Sequence, residues 1–239
     1  MLIAVPSKGR PGKVKTLKVI PSATVFVPEN EVSAYRDFYP TAKIQGVPTS
    51  VSGITKTRNW ILENADDDSV VMIDDDVKVC GWVELQEEKS RHKKLEEKVW
   101  LAECKKLFEI TRQMKYRLWG IATQSAKRSV YPYKPFLFRS YVTASFCGIC
   151  NESGIRFDES FRVKEDYELN LRCVKEDGGV VAARYLYWEN SHWFDEGGCA
   201  DYRSLQMEND AIKELQKRYP GQIKKIDRGG VSVSIELQF

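Results

Sequence analysis

The sequence predicts a single α/β domain. Short apolar segments alternate with segments of helical spacing through the first third of the chain, and one of them is continuous enough for a strand covered on both faces. A chain of 239 residues with 42% hydrophobic and 11% aromatic content also suffices for one sizeable core.

Leu2 to Val5 is the first apolar run, and Pro6 stops it before the loop Ser7-Lys8-Gly9-Arg10-Pro11-Gly12. Thr24 to Val27 reads as a second strand ended by Pro28, Glu29 to Phe38 as a short helix before Pro40, and Ile44 to Val47 as a third strand. In Ile54 to Asn64, the residues Ile54, Thr57, Ile61 and Leu62 fall at helical spacing, with Lys56, Arg58 and Asn59 near the start. The amino-terminal end of that helix therefore carries positive charge and backbone donors. Ser69 to Ile73 is the continuous apolar run, and it ends abruptly in Asp74-Asp75-Asp76. Strand and helix alternating up to this point predict a parallel sheet.

Val83 to Tyr116 is predicted as one long helix or two shorter ones. Its stripe is Leu101, Cys104, Phe108, Thr111, Met114 and Leu118, and its charged first part, Gln86 to Lys98, is a solvated face. Gly120 to Thr123 and the segment Phe136 to Cys150 supply strands on either side of the loop Tyr131-Pro132-Tyr133-Lys134-Pro135. Phe161 to Val174 is predicted helical and is ended by Gly178-Gly179. Val180 to Trp188 reads as a strand, Tyr202 to Tyr219 as a terminal helix, and Val231 to Leu237 as a closing strand.

Composition excludes little and bounds much. Lys and Arg number 37 against 34 Asp and Glu, so the formal charge of +3 does not by itself call for a polyanionic partner. The longest apolar stretches fall far short of the ~20 residues that span a bilayer. Leu2 to Val5 reads as a strand and not as a secretory leader, so the expected location is the cytoplasm. Six cysteines in a chain this long are too few for a disulfide scaffold, and Cys147-Gly148-Ile149-Cys150 is the only CxxC, which predicts buried reduced thiols.

Three carboxylates at the end of a buried strand repel one another and lose hydration, so a cation or hydrogen-bond donors must offset them. Open α/β sheets bind ligands at the carboxyl ends of their strands, and a hard divalent ion bridging carboxylate and diphosphate oxygens fits this need. Ser7, Lys8, Gly9, Arg10, Lys56, Arg58 and Asn59 are predicted at the same edge, where they suit an anionic nucleotide.

In this order, the first strand with its Ser7-Lys8-Gly9-Arg10 loop, the Thr57-Arg58-Asn59 helix, Asp74-Asp75-Asp76, Phe146-Cys147-Gly148-Ile149 and Lys164-Glu165-Asp166 resemble a GT-A glycosyltransferase. That resemblance implies a Rossmann-like mixed central sheet flanked by helices in one domain. Residues 1–80 would form the nucleotide-sugar-binding half, and residues 81–239 the acceptor-binding and catalytic half. It implies that the triplet is a DxD motif, with Asp74 and Asp75 near the donor and Asp76 on a divalent metal, Mn2+ or Mg2+. His192 resembles the carboxy-terminal metal histidine of such enzymes. Gly148 would lie in the glycine loop lining donor and acceptor, with Pro6, Ser7, Lys8, Arg10, Lys56, Arg58 and Asn59 completing the donor site. Asp166, beside Glu165, would be the catalytic base.

The opening Val5-Pro6-Ser7-Lys8-Gly9-Arg10-Pro11 further resembles the TET-associated glycosyltransferases found mainly in bacteriophages. This resemblance implies a UDP-sugar donor and, as acceptor, the hydroxymethyl group of 5-hydroxymethylcytosine or a related modified pyrimidine in DNA, in the host cytoplasm. A DNA acceptor calls for cations that follow phosphate and aromatics that hold an extruded base. Tyr131, Tyr133, Lys134, Trp193 and Arg203 are the candidates. Two other readings stay open: the same fold acting on a glycan or protein, and a non-catalytic nucleotide- or DNA-binding module.

Overall fold

In the computed structural model, residues 1–86, 89–123, 133–190, 204–226 and 234–238 are described. Four parallel strands form the first half of the sheet: β1 (Leu2–Pro6), β2 (Thr24–Pro28), β3 (Lys43–Val47) and β4 (Ser69–Ile73). The second half comprises β5 (Val77–Gln86), β6 (Lys89–Lys94), β7 (Leu118–Thr123), β8 (Phe136–Leu137), β9 (Phe146–Cys150) and β10 (Val181–Asn190). The order across the sheet is β3-β2-β1-β4-β9-β7-β10-β5-β6, with β8 pairing β10 beside β5. β9 runs antiparallel between β4 and β7, and β5 runs antiparallel to β10, so the sheet is mixed and not purely parallel.

The helices are α1 (Val32–Phe38), α2 (Ile54–Glu63), α3 (Glu97–Gln113), α4 (Glu165–Asp177) and α5 (Leu205–Arg218). On one sheet face α1 buries Tyr35, and α3 buries Trp100, Cys104, Leu107 and Phe108 against β1, β4, β7 and β10. Those four α3 positions recur at helical spacing, and each fully buried side chain of this size contributes about 1.5–3 kcal/mol. On the other face α2 contributes Ile61 and Leu62, and α4 contributes Leu169 and Cys173. A third cluster joins Phe161 and Leu171 to α5 and to a ribbon of β11 (Ile223–Ile226) and β12 (Ser234–Leu237). The five described cysteines are free and buried, as their sparse distribution predicts.

Several expectations change. The charged segment before Glu97 is not helical but forms the β5–β6 hairpin, because Val77, Val79 and Val83 suit a strand and β10 offers an open edge to pair with. The Lys- and Arg-rich β6 is then the outer strand of the sheet, where such charge discourages further pairing. Met114, expected on the buried stripe of α3, is exposed at the helix end. The helix expected from Phe161 begins at Glu165, since Phe161 is drawn into the third cluster and Lys164 turns the chain with φ 63°. The closing strand pairs with Ile223–Ile226, an element with too little alternation to be read from sequence.

Gly148 is a further correction. It sits in mid-strand on β9, opposite Val71 and Trp119, and not in a loop. A Cβ there would stand 2.0 Å from the Trp119 indole, which is wholly buried, so the glycine makes room for the ring. Gly148→Ala is expected to lose about 1–3 kcal/mol or more through overpacking. Urea denaturation should show a lower midpoint at unchanged slope.

Candidate active site

The parallel pairing of β1 with β4 brings their carboxyl ends out side by side, so the Ser7 loop and the acidic triplet share one edge. Asp75 is nearly fully buried and forms the centre of a clasp. Ser7 Oγ donates to its Oδ2 at 2.5 Å, and Arg10 Nη1 donates to its Oδ1 at 2.8 Å. The buried Tyr35 hydroxyl lies 2.8 Å from Ser7 Oγ and accepts from the Arg10 amide at 3.0 Å. Thr16 Oγ1 donates to the Asp74 carbonyl at 2.6 Å and accepts from the Val77 amide, which fixes the backbone of the triplet from below. Burial pushes the Asp75 carboxyl up, while Ser7 and Arg10 pull it back.

Arg58, on the second turn of α2, joins the triplet to the head of α4. It is almost fully buried, reaches Glu165 Oε1 at 2.6 Å and Asp74 Oδ1 at 3.2 Å, and lies over the Phe157 ring. Asp166 follows Glu165 and accepts a very short hydrogen bond from the Tyr141 hydroxyl; its other oxygen accepts from the Tyr167 amide. The Tyr141 and Tyr167 rings stack at 4.4 Å. Enclosure of the Tyr141 hydroxyl and the nearby Asp166 charge raise its pKa well above the usual phenol value, so it stays a proton donor at neutral pH although the ring has an exposed edge. Asn170, one turn along, holds the Val142 backbone at both its carbonyl and its amide, which sets the loop carrying Tyr141. The floor is Cys147, whose thiol burial pushes up to about 12, with Arg58 lowering it and Asp166 and Asp74 raising it.

The structure therefore brings together Ser7, Arg10, Arg58, Asp74, Asp75, Glu165 and Asp166. Pro6 is buried at the end of β1, and Asp76 follows Asp75 with partial exposure. Lys8 and Lys56 are exposed. Asn59 has a different task from the one expected: its amide pairs with both the carbonyl and the amide of Phe157 and locks the chain before α4. Gly148 lies two residues along β9 from Phe146, which pairs with Ile73 next to the triplet; antiparallel β9 presents its amino end to the site. Tyr133 and Lys134 are exposed just before β8. The Pro135 carbonyl meets the Arg184 amide, about 20 Å of strand from Asn190, which pairs with Val77 beside the triplet. His192, Tyr131, Trp193 and Arg203 lie outside the described residues. Tyr141, Asn170, Tyr35 and Thr16 were missed, since each acts through a partner far off in sequence. A separate cavity lies beyond α4 between Arg156, Arg172 and Arg218, but its guanidinium groups are held by Asn151, Glu168 and Asp158.

Residues 1–199 match the family described as TET-Associated Glycosyltransferase. The chain belongs to this family. No curated protein matches it in sequence. Among solved structures, the mannosyltransferase PcManGT from Pyrobaculum calidifontis in complex with GDP-Man and Mn2+ is 14% identical, with a TM-score of 0.58 over 91% of this chain and 63% of that one. S. aureus TarS 1–349 in complex with UDP-GlcNAc is 11% identical, with a TM-score of 0.55 over 90% of this chain and 67% of that one. Glucosyl-3-phosphoglycerate synthase from Mycobacterium tuberculosis, in complex with Mn2+, UDP and glucosyl-3-phosphoglycerate, is 11% identical at TM-score 0.54, over 99% and 86% of the two chains. The chain spans 60 to 67% of the TarS 1–349 structures. These likenesses place the TET-associated glycosyltransferase in the GT-A fold.

Whether its triplet fits a cation is decided by charge. Among the described residues no three His, Cys, Asp or Glu side chains converge as a ready-made metal cluster. The Asp76 carboxyl is nonetheless pushed up to about 6, first by burial and then by Asp74 and Asp75, an excess that Arg10 only partly offsets. A cation that binds oxygen would relieve this repulsion, so the donor set fits a hard divalent ion completed by ligand oxygens. Because the folded value lies above that of the unfolded chain, ionised Asp76 costs stability in full above about pH 6, and the cost fades as pH falls toward 4. With a chelator present, Asp76→Asn should therefore raise stability by about 1–2 kcal/mol at pH 8, solvent screening included, and by almost nothing near pH 4. Thermal melts at the two pH values check both signs.

Proposed function

We propose that this protein is a metal-dependent glycosyltransferase that moves a sugar from a UDP-sugar to the hydroxymethyl group of 5-hydroxymethylcytosine, or a related modified pyrimidine, in DNA, with inversion. The observation that carries the transferase reading is the Arg58 bridge. It holds Asp74 of the triplet and Glu165 of α4 within reach of one guanidinium, with Asp166 next in line. Membership of the TET-associated family supports the modified-pyrimidine acceptor.

In this reading, residues 1–80 hold the donor. Ser7, Lys8, Arg10, Lys56 and Arg58 supply donors to the nucleotide and its phosphates, and Asp76, with His192, holds Mn2+ or Mg2+. When bound there, the ion would offset charge on the departing diphosphate. Residues 81–239 supply the acceptor and catalytic groups. Asp166 accepts the proton of the acceptor hydroxyl as that oxygen attacks the anomeric carbon; the bond to the diphosphate oxygen breaks on the opposite face, which inverts the centre. Tyr141 holds Asp166 in place through its hydroxyl. Tyr131, Tyr133, Lys134, Trp193 and Arg203 are the proposed acceptor contacts. Among the described residues no helix is long and apolar enough to cross a membrane.

Asp76→Ala is expected to abolish metal-dependent binding of the UDP-sugar, whereas Asp166→Asn leaves that binding nearly intact and lowers transfer by about 100-fold or more. Calorimetry and turnover on the same preparations separate the two roles, and equal loss of binding in both would remove the assignment. UDP release should be followed over a panel of UDP-sugars with Mn2+, using hydroxymethylated duplex, unmodified duplex and no DNA. Release that requires the hydroxymethyl group establishes the acceptor and identifies the sugar. Release indifferent to DNA keeps the transferase and discards the acceptor.

A further inference from the structure

The carboxy-terminal helix α5 and the β11–β12 ribbon lie beyond the segment matched to the family, yet they are built into the head of α4. Glu208, on the first turn of α5, is completely buried. Lys164 Nζ lies 2.7 Å from its Oε2, and the same ammonium stands 5.3 Å from the centroid of the Tyr167 ring. Lys164 is the residue immediately before Glu165, with φ 63° and ψ 18°, a left-handed conformation that a residue with a side chain seldom adopts. No side chain caps the amino terminus of α4, so local sequence does not fix how the chain enters the helix.

Two further contacts from the same unit bracket the segment. Tyr219 donates from its hydroxyl to Glu168 Oε1 at 3.1 Å. Arg218 Nη1 donates to Asp158 Oδ2 at 2.6 Å, with its guanidinium over the Phe161 ring. Residues 158–168, which carry Glu165 and Asp166, are thus tied at both ends and in the middle by the carboxy-terminal unit.

We propose that Glu208 is a positioning residue: its ion pair with Lys164 holds the left-handed turn that aims Glu165 at Arg58 and Asp166 at the reacting hydroxyl. The carboxy-terminal unit is then part of the working site and not an appendage to it. This rests on the assignment of Asp166 as base. When Glu208 loses its charge, the Lys164 ammonium no longer has that buried carboxylate to hold it in place. The side chain moves toward water, the backbone relaxes from the left-handed region, and Asp166 shifts; a misplacement of about 1 Å costs about 100-fold in rate.

The test is the double variant Lys164→Met/Glu208→Leu, because replacing a buried ion pair by apolar groups of similar volume is often neutral for stability. The expected result is a Tm close to wild type with kcat lowered at least about 10-fold and KM for the UDP-sugar within about twofold, while Glu208→Asp, which keeps the charge, regains most of kcat. A double variant whose kcat is restored along with its Tm would overturn the proposal and leave the pair a packing role. Amide hydrogen exchange over residues 163–168 supplies a readout independent of turnover. If wild type transfers sugar to no acceptor, the transferase reading fails, and exchange alone decides. Faster exchange in the double variant at unchanged Tm supports the positioning role, and unchanged exchange removes it.

Discussion

The placement of Arg58 between Asp74 and Glu165 is the constraint on which the site depends. A guanidinium this deeply buried is tolerable only with carboxylates beside it, and a carboxylate as buried as Glu165 needs a cation in return. The two requirements meet across more than a hundred residues of sequence, so α2, the end of β4 and the start of α4 must assemble together or not at all. Asn59 reinforces the joint from the adjacent position by holding the Phe157 backbone, and Thr55, one turn earlier, donates to the Phe161 carbonyl. One face of α2 therefore joins the edge that carries the acidic triplet to the head of α4.

The middle carboxylate of the triplet works differently from its neighbours. Asp75 turns inward to Ser7 and Arg10, which anchors the first loop to the strand end, while Asp74 pairs with Arg58 and Asp76 stays partly exposed. Crowding three acids in sequence gives Asp75 to the fold and leaves Asp76 raised, first by burial and then by the charges of Asp74 and Asp75. Such a carboxylate is unfavourable unless a cation or hydrogen-bond donors compensate it.

Antiparallel β9 decides what else reaches this edge. It enters the sheet beside β4 with its amino end at the triplet, so the Asp74 amide bonds to the Ser145 carbonyl and the chain from Tyr141 to Ser145 borders the site. A parallel strand in that slot would have presented its carboxyl end there instead. The Cys147-Gly148-Ile149-Cys150 motif is accordingly sheet interior: Cys147 forms the floor and Gly148 accommodates Trp119.

Much of this was legible from residue order. The apolar runs ending in Pro6, Pro28 and Asp74, and the helical spacing of Ile54 to Leu62, follow from local preference and the two periodicities of helix and strand. The co-location of Ser7, Arg10, Arg58 and the triplet follows from their all standing at strand or helix ends. What sequence could not supply were features set by partners distant along the chain. The β5–β6 hairpin exists because β10 offers an edge, β9 is antiparallel because of where its neighbours lie, and Lys164 adopts a left-handed turn against Glu208. Tyr141 and Asn170 belong to the site for the same reason, since neither has a local pattern that distinguishes it. Local sequence determined which segments are strands and helices and where charge accumulates. Tertiary packing decided which charges face each other, because the energy of an ion pair or a filled core position depends on a partner that sequence alone does not place.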